Sequence, residues 1–148
     1  MSSPVCVAAP VPLTSLLADV GAEVSAQMAD RLVALDVSPA DVQVLQLVAG
    51  AGGMSQREAA ARLGAFPTHL GSRVAALCAR GLMERRVFTD RRRRYGLYIT
   101  PAGTRCLDDV SRVCDEHQAD LLGAFSEQEQ QVLGDLLERL ARRRRAAR

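Results

Sequence analysis

The sequence predicts a mainly α-helical chain with one small antiparallel β-hairpin. Apolar residues recur at helical spacing through most of its 148 residues. Between residues 84 and 100, two short β-prone runs surround a turn that carries four consecutive arginines. Because 48% of the residues are hydrophobic, a chain of this length can bury the core of one domain.

The first predicted helix covers residues 13–36. Its apolar residues are three or four positions apart, which places them on one helix face. They are Leu13, Leu16, Leu17, Val20, Val24, Met28, Leu32 and Leu35. Residues 1–12 contain three prolines and no basic residue, so we expect a flexible tail there and not a secretion signal.

Ser38 is the expected N-cap of a second helix, with Pro39 in the first turn and Asp41 completing the cap. The buried face of this helix is predicted to hold Val42, Leu45 and Val48. Glycines that begin at Gly50 mark its end.

Two short helices joined by a tight turn are predicted next. Ser55 and Glu58 form a capping box for the first of them, and Gly64 is placed to end it in the left-handed conformation. Pro67 opens the other helix, which is followed by a strand at Leu82. Its inner face is predicted to consist of Leu70, Val74, Leu77 and Cys78.

A helix from Pro101 to about Gly123, capped by Thr100, is predicted next. A last helix, which begins at the capping box of Ser126 and Glu129, completes the predicted order. The stripe of the last helix is rich in leucine and consists of Val132, Leu133, Leu136, Leu137 and Leu140. A lone chain would expose the stripes of its first and last helices to water. We therefore predict that residues 13–36 and 101–148 form flanking dimerisation helices.

Arginine supplies every positive side chain, and its distribution is uneven. Residues 81–100 hold six arginines and two acids, whereas residues 101–138 hold two arginines and nine acids. A guanidinium binds phosphate or a guanine edge through paired hydrogen bonds, so the arginine-rich hairpin is suited to DNA. The aromatic content of 3% disfavours a stacking surface for single-stranded nucleic acid.

Helix, turn, helix and hairpin, in that order, form a winged helix-turn-helix domain, which we assign to residues 37–100. The second helix of such a domain enters the DNA major groove, which is about 12 Å wide, and the hairpin reaches the neighbouring minor groove or phosphates. We therefore predict double-stranded DNA as the partner. On the helix that Pro67 opens, the face opposite the core holds His69, Ser72, Arg73, Ala76 and Arg80.

Five segments together resemble the MarR family of bacterial transcription regulators. They are Ser-Pro-Ala-Asp-Val-Gln-Val-Leu at 38–45, Ser-Gln-Arg-Glu-Ala-Ala-Ala-Arg-Leu-Gly at 55–64, Leu-Cys-Ala-Arg-Gly-Leu-Met-Glu-Arg-Arg at 77–86, Asp-Arg-Arg at 90–92 and Ile-Thr-Pro-Ala-Gly at 99–103. Each segment alone is a weak signal, whereas the combination is specific. The resemblance implies a homodimer with interlocking terminal helices, whose wings grip DNA and which a small ligand often releases.

The resemblance also implies a set of DNA contacts, on the first helix of the motif, on the second helix and in the wing. They are Ser55, Gln56, Arg57, Thr68, His69, Ser72, Arg73, Asp90, Arg91, Arg92, Arg93 and Arg94. Ser72 stands where relatives commonly have a basic residue, and Arg73 could bind phosphate instead of a base. Which of the four wing arginines enters the minor groove is left open, and Ser55 could be only a cap.

The predicted function is repression: the dimer binds a pseudo-palindromic operator and leaves it when a small phenolic or other anionic effector binds. The sequence does not identify the ligand-binding residues. No metal, cofactor or catalytic residue is predicted, because the sequence has no nucleophile elbow and no phosphate-binding glycine loop. No apolar run is long enough for a membrane span. The four cysteines form no Cys-x-x-Cys pair and lie mostly at apolar helical positions, which favours reduced thiols in a cytoplasmic protein.

Two alternative functions remain open. The resemblance implies that a thiol-based redox regulator would carry a reactive cysteine near the start of the first helix, whereas Cys6 lies ahead of that helix, in the tail. A winged helix can also be a protein-interaction module without specific DNA binding, although such a module has no use for four arginines in its wing. His117 and Cys114 could share a metal ion, but a histidine packed at a subunit interface is the preferred interpretation.

Overall fold

The computed structural model describes residues 11–87 and 95–146, except for the side chains of Pro67 and Arg145. The elements in these ranges confirm the predicted fold class of six helices and a two-stranded antiparallel hairpin. In chain order they are α1 (Leu13–Val33), α2 (Pro39–Ala49), α3 (Gln56–Leu63), α4 (Pro67–Ala79), β1 (Met83–Val87), β2 (Tyr95–Ile99), α5 (Pro101–Leu122) and α6 (Glu127–Ala146). The chain divides into two compact units, with the boundary at Leu107 in α5.

Serine N-caps begin three of the helices, as the sequence predicted. Ser38, Ser55 and Ser126 each accept a hydrogen bond from the backbone N–H three residues later. Each also donates its own N–H to the acidic side chain at that later position, over 2.8 Å. The left-handed conformation predicted for Gly64 is present too, with φ +61°. Local hydrogen bonds therefore fix where α2, α3 and α6 begin and where α3 ends.

The predicted end of the first helix at residue 36 is wrong, because α1 ends at Val33. Asp36 adopts the left-handed conformation, with φ +54°. Its N–H donates to the Val33 carbonyl, and the N–H of Val37 donates to the Leu32 carbonyl. These bonds form a Schellman-type C-cap with an aspartate at the position that glycine usually takes, so the chain turns before α2.

One hydrophobic core unites α2, α3, α4 and the hairpin. All six aliphatic residues predicted for the inner faces of α2 and α4 are buried. The core cluster consists of Val44, Leu45, Val48, Met54, Ala59, Ala60, Leu70, Val74, Leu77, Met83 and Leu97. Met54 also forms an isolated antiparallel bridge with Leu97, whose N–H donates to the Met54 carbonyl over 2.7 Å. This bridge attaches the hairpin to the segment between α2 and α3.

The hairpin pairs β1 with β2 in a register that sets Met83 opposite Ile99 and Val87 opposite Tyr95. β1 begins at Met83, one residue later than predicted, because Leu82 still belongs to the turn after α4. The N–H of Leu82 donates to the Leu77 carbonyl, and the Leu82 carbonyl accepts from Thr100. No helix in the described ranges combines the length and apolarity needed to cross a membrane.

Candidate nucleic-acid interface

A short turn separates α3 from α4. Gly64 ends α3 in the left-handed conformation, and the N–H of Ala65 donates to the Ala60 carbonyl over 3.0 Å. Phe66 is the N-cap of α4, and its side chain is 75% exposed. Its ring meets His69 edge-on, with the ring centroids 6.0 Å apart. The helix-turn-helix therefore presents an exposed aromatic pair at the start of its second helix.

The outward face of α4 holds the predicted base-facing residues Thr68, His69 and Ser72, all of which are exposed. The Ser72 hydroxyl donates to the Thr68 carbonyl over 3.4 Å, so its oxygen can still accept a hydrogen bond. Gly71 lies where α3 comes close, because an added Cβ would be 3.0 Å from Nε2 of Gln56. The face therefore combines two hydroxyls and an imidazole beside the start of α3.

Arg73 does not extend away from the core with those residues. Its Nη1 lies 2.6 Å from Oδ1 of Asp41 and 3.0 Å from Oγ of Ser38, at the start of α2. Arg80, at the C-cap of α4, reaches Asp36 over 3.1 Å. Both arginines were predicted on the face opposite the core. Arg73 instead pairs with an acid in the first turn of α2, and Arg80 pairs with an acid in the turn before α2.

Asp41 joins the cap of α2 to this ion pair. Burial alone would raise the pKa of its carboxyl group, but the backbone N–H and hydroxyl of Ser38, followed by the Arg73 guanidinium, hold the pKa below its ordinary value. The side chain of Asp41 is 16% exposed and that of Arg73 is 37% exposed. The carboxylate is therefore charged at neutral pH and compensates the charge of Arg73.

The three DNA contacts predicted at the start of α3 are Ser55, Gln56 and Arg57, and the structure gives each a different environment. The Ser55 hydroxyl is used in the cap, because it donates to Glu58 and accepts from that residue's N–H. Gln56 Oε1 accepts from Nη2 of Arg85 over 3.3 Å, which joins α3 to β1 of the hairpin. Arg57 is exposed, as a phosphate contact requires.

The base of the hairpin carries a second arginine, Arg86. Its guanidinium lies over the ring of Tyr98, 5.1 Å from the centroid, and pairs with Glu84. The Tyr98 ring lies against Gly53, where an added Cβ would be 2.6 Å from the ring. Arg86 therefore rests on a ring that is itself packed against the loop before α3.

The wing residues named from the sequence, Asp90, Arg91, Arg92, Arg93 and Arg94, lie outside the described residues. They follow β1 and precede β2 in the chain. Their DNA contacts therefore stay predictions that rest on charge and on the family resemblance.

The thiol and imidazole groups of the described residues differ in their exposure. Burial raises the pKa of the Cys78 thiol; the charge of Arg85 lowers it and the charge of Glu84 raises it. The raised pKa reduces the fraction of thiolate. Cys114 is exposed, whereas His117, three residues later, is buried and its Nε2 has no hydrogen-bond partner in the described part of the chain. No group of three or more potential metal ligands occurs there. Cys6 lies outside the described residues.

No protein-family model matches the sequence, and no curated protein matches it significantly. Solved structures do match. A MarR-family transcriptional regulator from Rhodococcus sp. RHA1 is 27% identical, with 88% of this chain and 95% of that chain covered and a TM-score of 0.71. The chain thus shares the fold of MarR-family transcription regulators.

Two further solved structures share this fold. Wild-type MarR from E. coli, in its apo form, shares the fold with a TM-score of 0.74 at 20% identity, over 89% of this chain and 98% of that chain. CouR from Rhodococcus jostii RHA1, solved with bound p-coumaroyl-CoA, is 26% identical with a TM-score of 0.68, over 87% of this chain and 91% of that chain. The chain therefore has the winged helix-turn-helix fold of these regulators, as its sequence predicted.

Three contacts that shape the interface were not predicted from the sequence. The pairs Arg73–Asp41, Arg80–Asp36 and Arg85–Gln56 each join residues that are 29 or more positions apart. The high density of arginine around residue 85 was a sequence signal for the Arg85–Gln56 contact. No local pattern signalled the first two, since helical periodicity says which residues share a face and not which distant acid they reach.

Proposed function

We propose that the protein is a dimeric transcription regulator that represses by binding a pseudo-palindromic operator and is released by a small ligand. The observation that carries the DNA-binding part is the exposed face of α4, formed by Thr68, His69 and Ser72. Gln56, at the start of α3, lies close to Gly71 of α4 and bonds to the exposed Arg85 on β1. The exposed Arg57 follows Gln56 in the chain. Such a surface can read base edges with one helix while cations on its flanks bind phosphates.

The high positive charge of the hairpin sequence also supports DNA binding. Four consecutive arginines, from residue 91 to residue 94, follow the Arg85 and Arg86 pair in the sequence. Cations that neutralise phosphates make affinity depend strongly on salt and give contacts that do not depend on sequence. We propose that the wing supplies most of this general affinity and that α4 supplies discrimination between sequences.

Exposed apolar faces support a dimer. On α6, the stripe that contains Leu133 and Leu136 is exposed, and together with Phe125 it lines an open groove of about 450 Å³. On α1, Leu13, Leu16, Leu17 and Val20 are also exposed. Contiguous apolar faces of this kind mark protein contacts, and a second copy of the chain is the occupant we propose. Two-fold symmetry then places the DNA half-sites about one helical turn apart.

The effector is proposed as a small phenolic or other anionic molecule. The structure of CouR with p-coumaroyl-CoA supports a ligand of this chemical class. A ligand that binds the conformation with low DNA affinity more tightly would release the operator, with a coupling of about 1–3 kcal/mol. We propose no catalytic activity and a cytoplasmic location beside the DNA.

Substitutions in the wing and on α4 should separate general affinity from discrimination. Arg92→Ala is expected to weaken binding to a selected duplex and to a random duplex by similar factors, and to lower the salt slope by about 0.9 for each phosphate that the wing no longer neutralises. His69→Ala is expected to act mainly on the selected duplex and to remove about 1–3 kcal/mol of discrimination. Fluorescence anisotropy at several salt concentrations measures both, on a duplex that the wild-type protein selects from a random library.

Arg112→Ala is the matched control for the wing, because it removes one exposed arginine outside residues 37–100. It should leave the salt slope unchanged. The proposal fails if His69→Ala lowers affinity for both duplexes equally, or if Arg112→Ala and Arg92→Ala change the salt slope to the same extent.

A further inference from the structure

Two arginines tie α4 to α2 and to the turn before α2. Arg73 donates a charged hydrogen bond to Asp41 in the first turn of α2, and Arg80 forms an ion pair with Asp36 in the preceding turn. The two arginines are seven residues apart, which corresponds to two turns and about 10 Å along the helix axis. The helix that carries the proposed DNA-reading face is thus attached at its middle and at its end.

The Arg73 attachment is the more enclosed of the two. Asp41 gives one carboxylate oxygen, Oδ2, to the N–H and hydroxyl of Ser38 and the other, Oδ1, to Arg73. The guanidinium also donates to the Ser38 hydroxyl over 3.0 Å. Asp36, by contrast, is 90% exposed, so water and salt weaken its pair with Arg80. The cap of α2 and the Arg73 pair therefore form one hydrogen-bonded cluster.

Arg73 follows Ser72 directly and lies one helical turn beyond His69. Its charge is compensated by Asp41, and its guanidinium is directed at α2, so it is poorly placed to contact a phosphate. A change in its attachment would instead alter the rotation and tilt of α4 relative to α2, and with them the direction of the exposed face.

We propose that Arg73, held by Asp41 and Ser38, is a positioning residue that sets how α4 presents its reading face to DNA. This role rests on the proposed function. It predicts that removal of the Arg73 attachment impairs discrimination between DNA sequences while the number of neutralised phosphates stays the same.

The test uses the full-length chain with Arg73→Met, Asp41→Asn and the double variant. We expect Arg73→Met to lower the affinity ratio between the selected and random duplexes by about tenfold, as one poorly placed base contact does, with the salt slope unchanged. The double variant should have the same affinity ratio as the single variant with the lower ratio, because Arg73→Met and Asp41→Asn break the same attachment. Arg57→Met is the control for a phosphate contact and should lower the slope by about 0.9.

Affinities are measured at a temperature at which circular dichroism shows that every variant is folded. Any remaining loss of folded protein lowers the apparent affinity for both duplexes by the same factor, so it does not change the affinity ratio. Arg73→Lys keeps the positive charge and should discriminate between the duplexes better than Arg73→Met does. If Arg73→Met does not fold, Arg73→Lys replaces it in the test. Arg80→Met should have the smaller effect. The positioning role is excluded if Arg73→Met lowers the slope as Arg57→Met does, or keeps the wild-type ratio. If the wild-type protein selects no duplex, the proposed function itself fails, and the positioning role fails with it.

Discussion

Gly103→Ala is expected to destabilise the fold by about 3 kcal/mol or more, although alanine is the better helix former. A Cβ on Gly103 would lie 2.1 Å from the Leu82 carbonyl oxygen and 2.7 Å from Cγ1 of Ile99. The oxygen cannot move aside, because it accepts from Thr100, whose hydroxyl in turn accepts from the N–H of Gly103. The first turn of α5 must therefore shift away from the hairpin, and urea unfolding followed by circular dichroism measures the cost.

Gly134→Ala on α6 is the matched control. Gly134 is also a helical glycine, but an added Cβ would have no atom within 4 Å. Helix propensity alone should then raise the free energy of unfolding by about 1 kcal/mol. Equal gains at both positions would mean that α5 does not pack against Leu82 as described.

Leu133→Asp together with Leu136→Asp is expected to convert a dimer into a monomer. Both leucines are exposed on α6 and line the same apolar groove. Burial of a leucine side chain is worth about 1.5–3 kcal/mol, so two charged replacements should weaken association by at least about a hundredfold. Light scattering should report twice the chain mass of 15.9 kDa for the wild-type protein at micromolar concentration and 15.9 kDa for the variant.

A control substitution separates the effect of charge from the effect of removing the apolar face. Gln131→Glu also adds one negative charge to α6, but Gln131 lies outside the stripe and bonds to Asp135. This variant should remain dimeric. A wild-type protein that is monomeric at micromolar concentration would remove the basis for a two-fold DNA reader.

Features that depend on a few neighbouring residues could be predicted from the sequence. The capping boxes at Ser38, Ser55 and Ser126 involve residues three positions apart, and all three are present. The helical order and the hairpin followed from such local patterns. The end of α1 could not be placed, because Asp36 takes a left-handed conformation that glycine or asparagine would have signalled more clearly.

Contacts between residues far apart in the sequence could not be predicted from local patterns. Periodicity set Arg73 on the face opposite the core of α4, but it could not indicate that Asp41, 32 residues earlier, would bind the guanidinium and direct it at α2. The packing of Tyr98 on Gly53 is a similar case, since it depends on how the hairpin folds back on the α2–α3 loop. The predicted DNA contacts of Thr68, His69 and Ser72 stay predictions, supported by their exposure on α4.

Sequence-specific DNA binding is decided by the affinity of the wild-type protein for duplex DNA as a function of salt. Fluorescence anisotropy would compare a duplex that the protein selects from a random library with a scrambled duplex, between about 50 and 200 mM salt. We expect log affinity to fall linearly with log salt on both duplexes, and the selected duplex to bind at least about a thousandfold more tightly. Equal affinity for the two duplexes, or no binding to either, would contradict a role as a sequence-specific regulator.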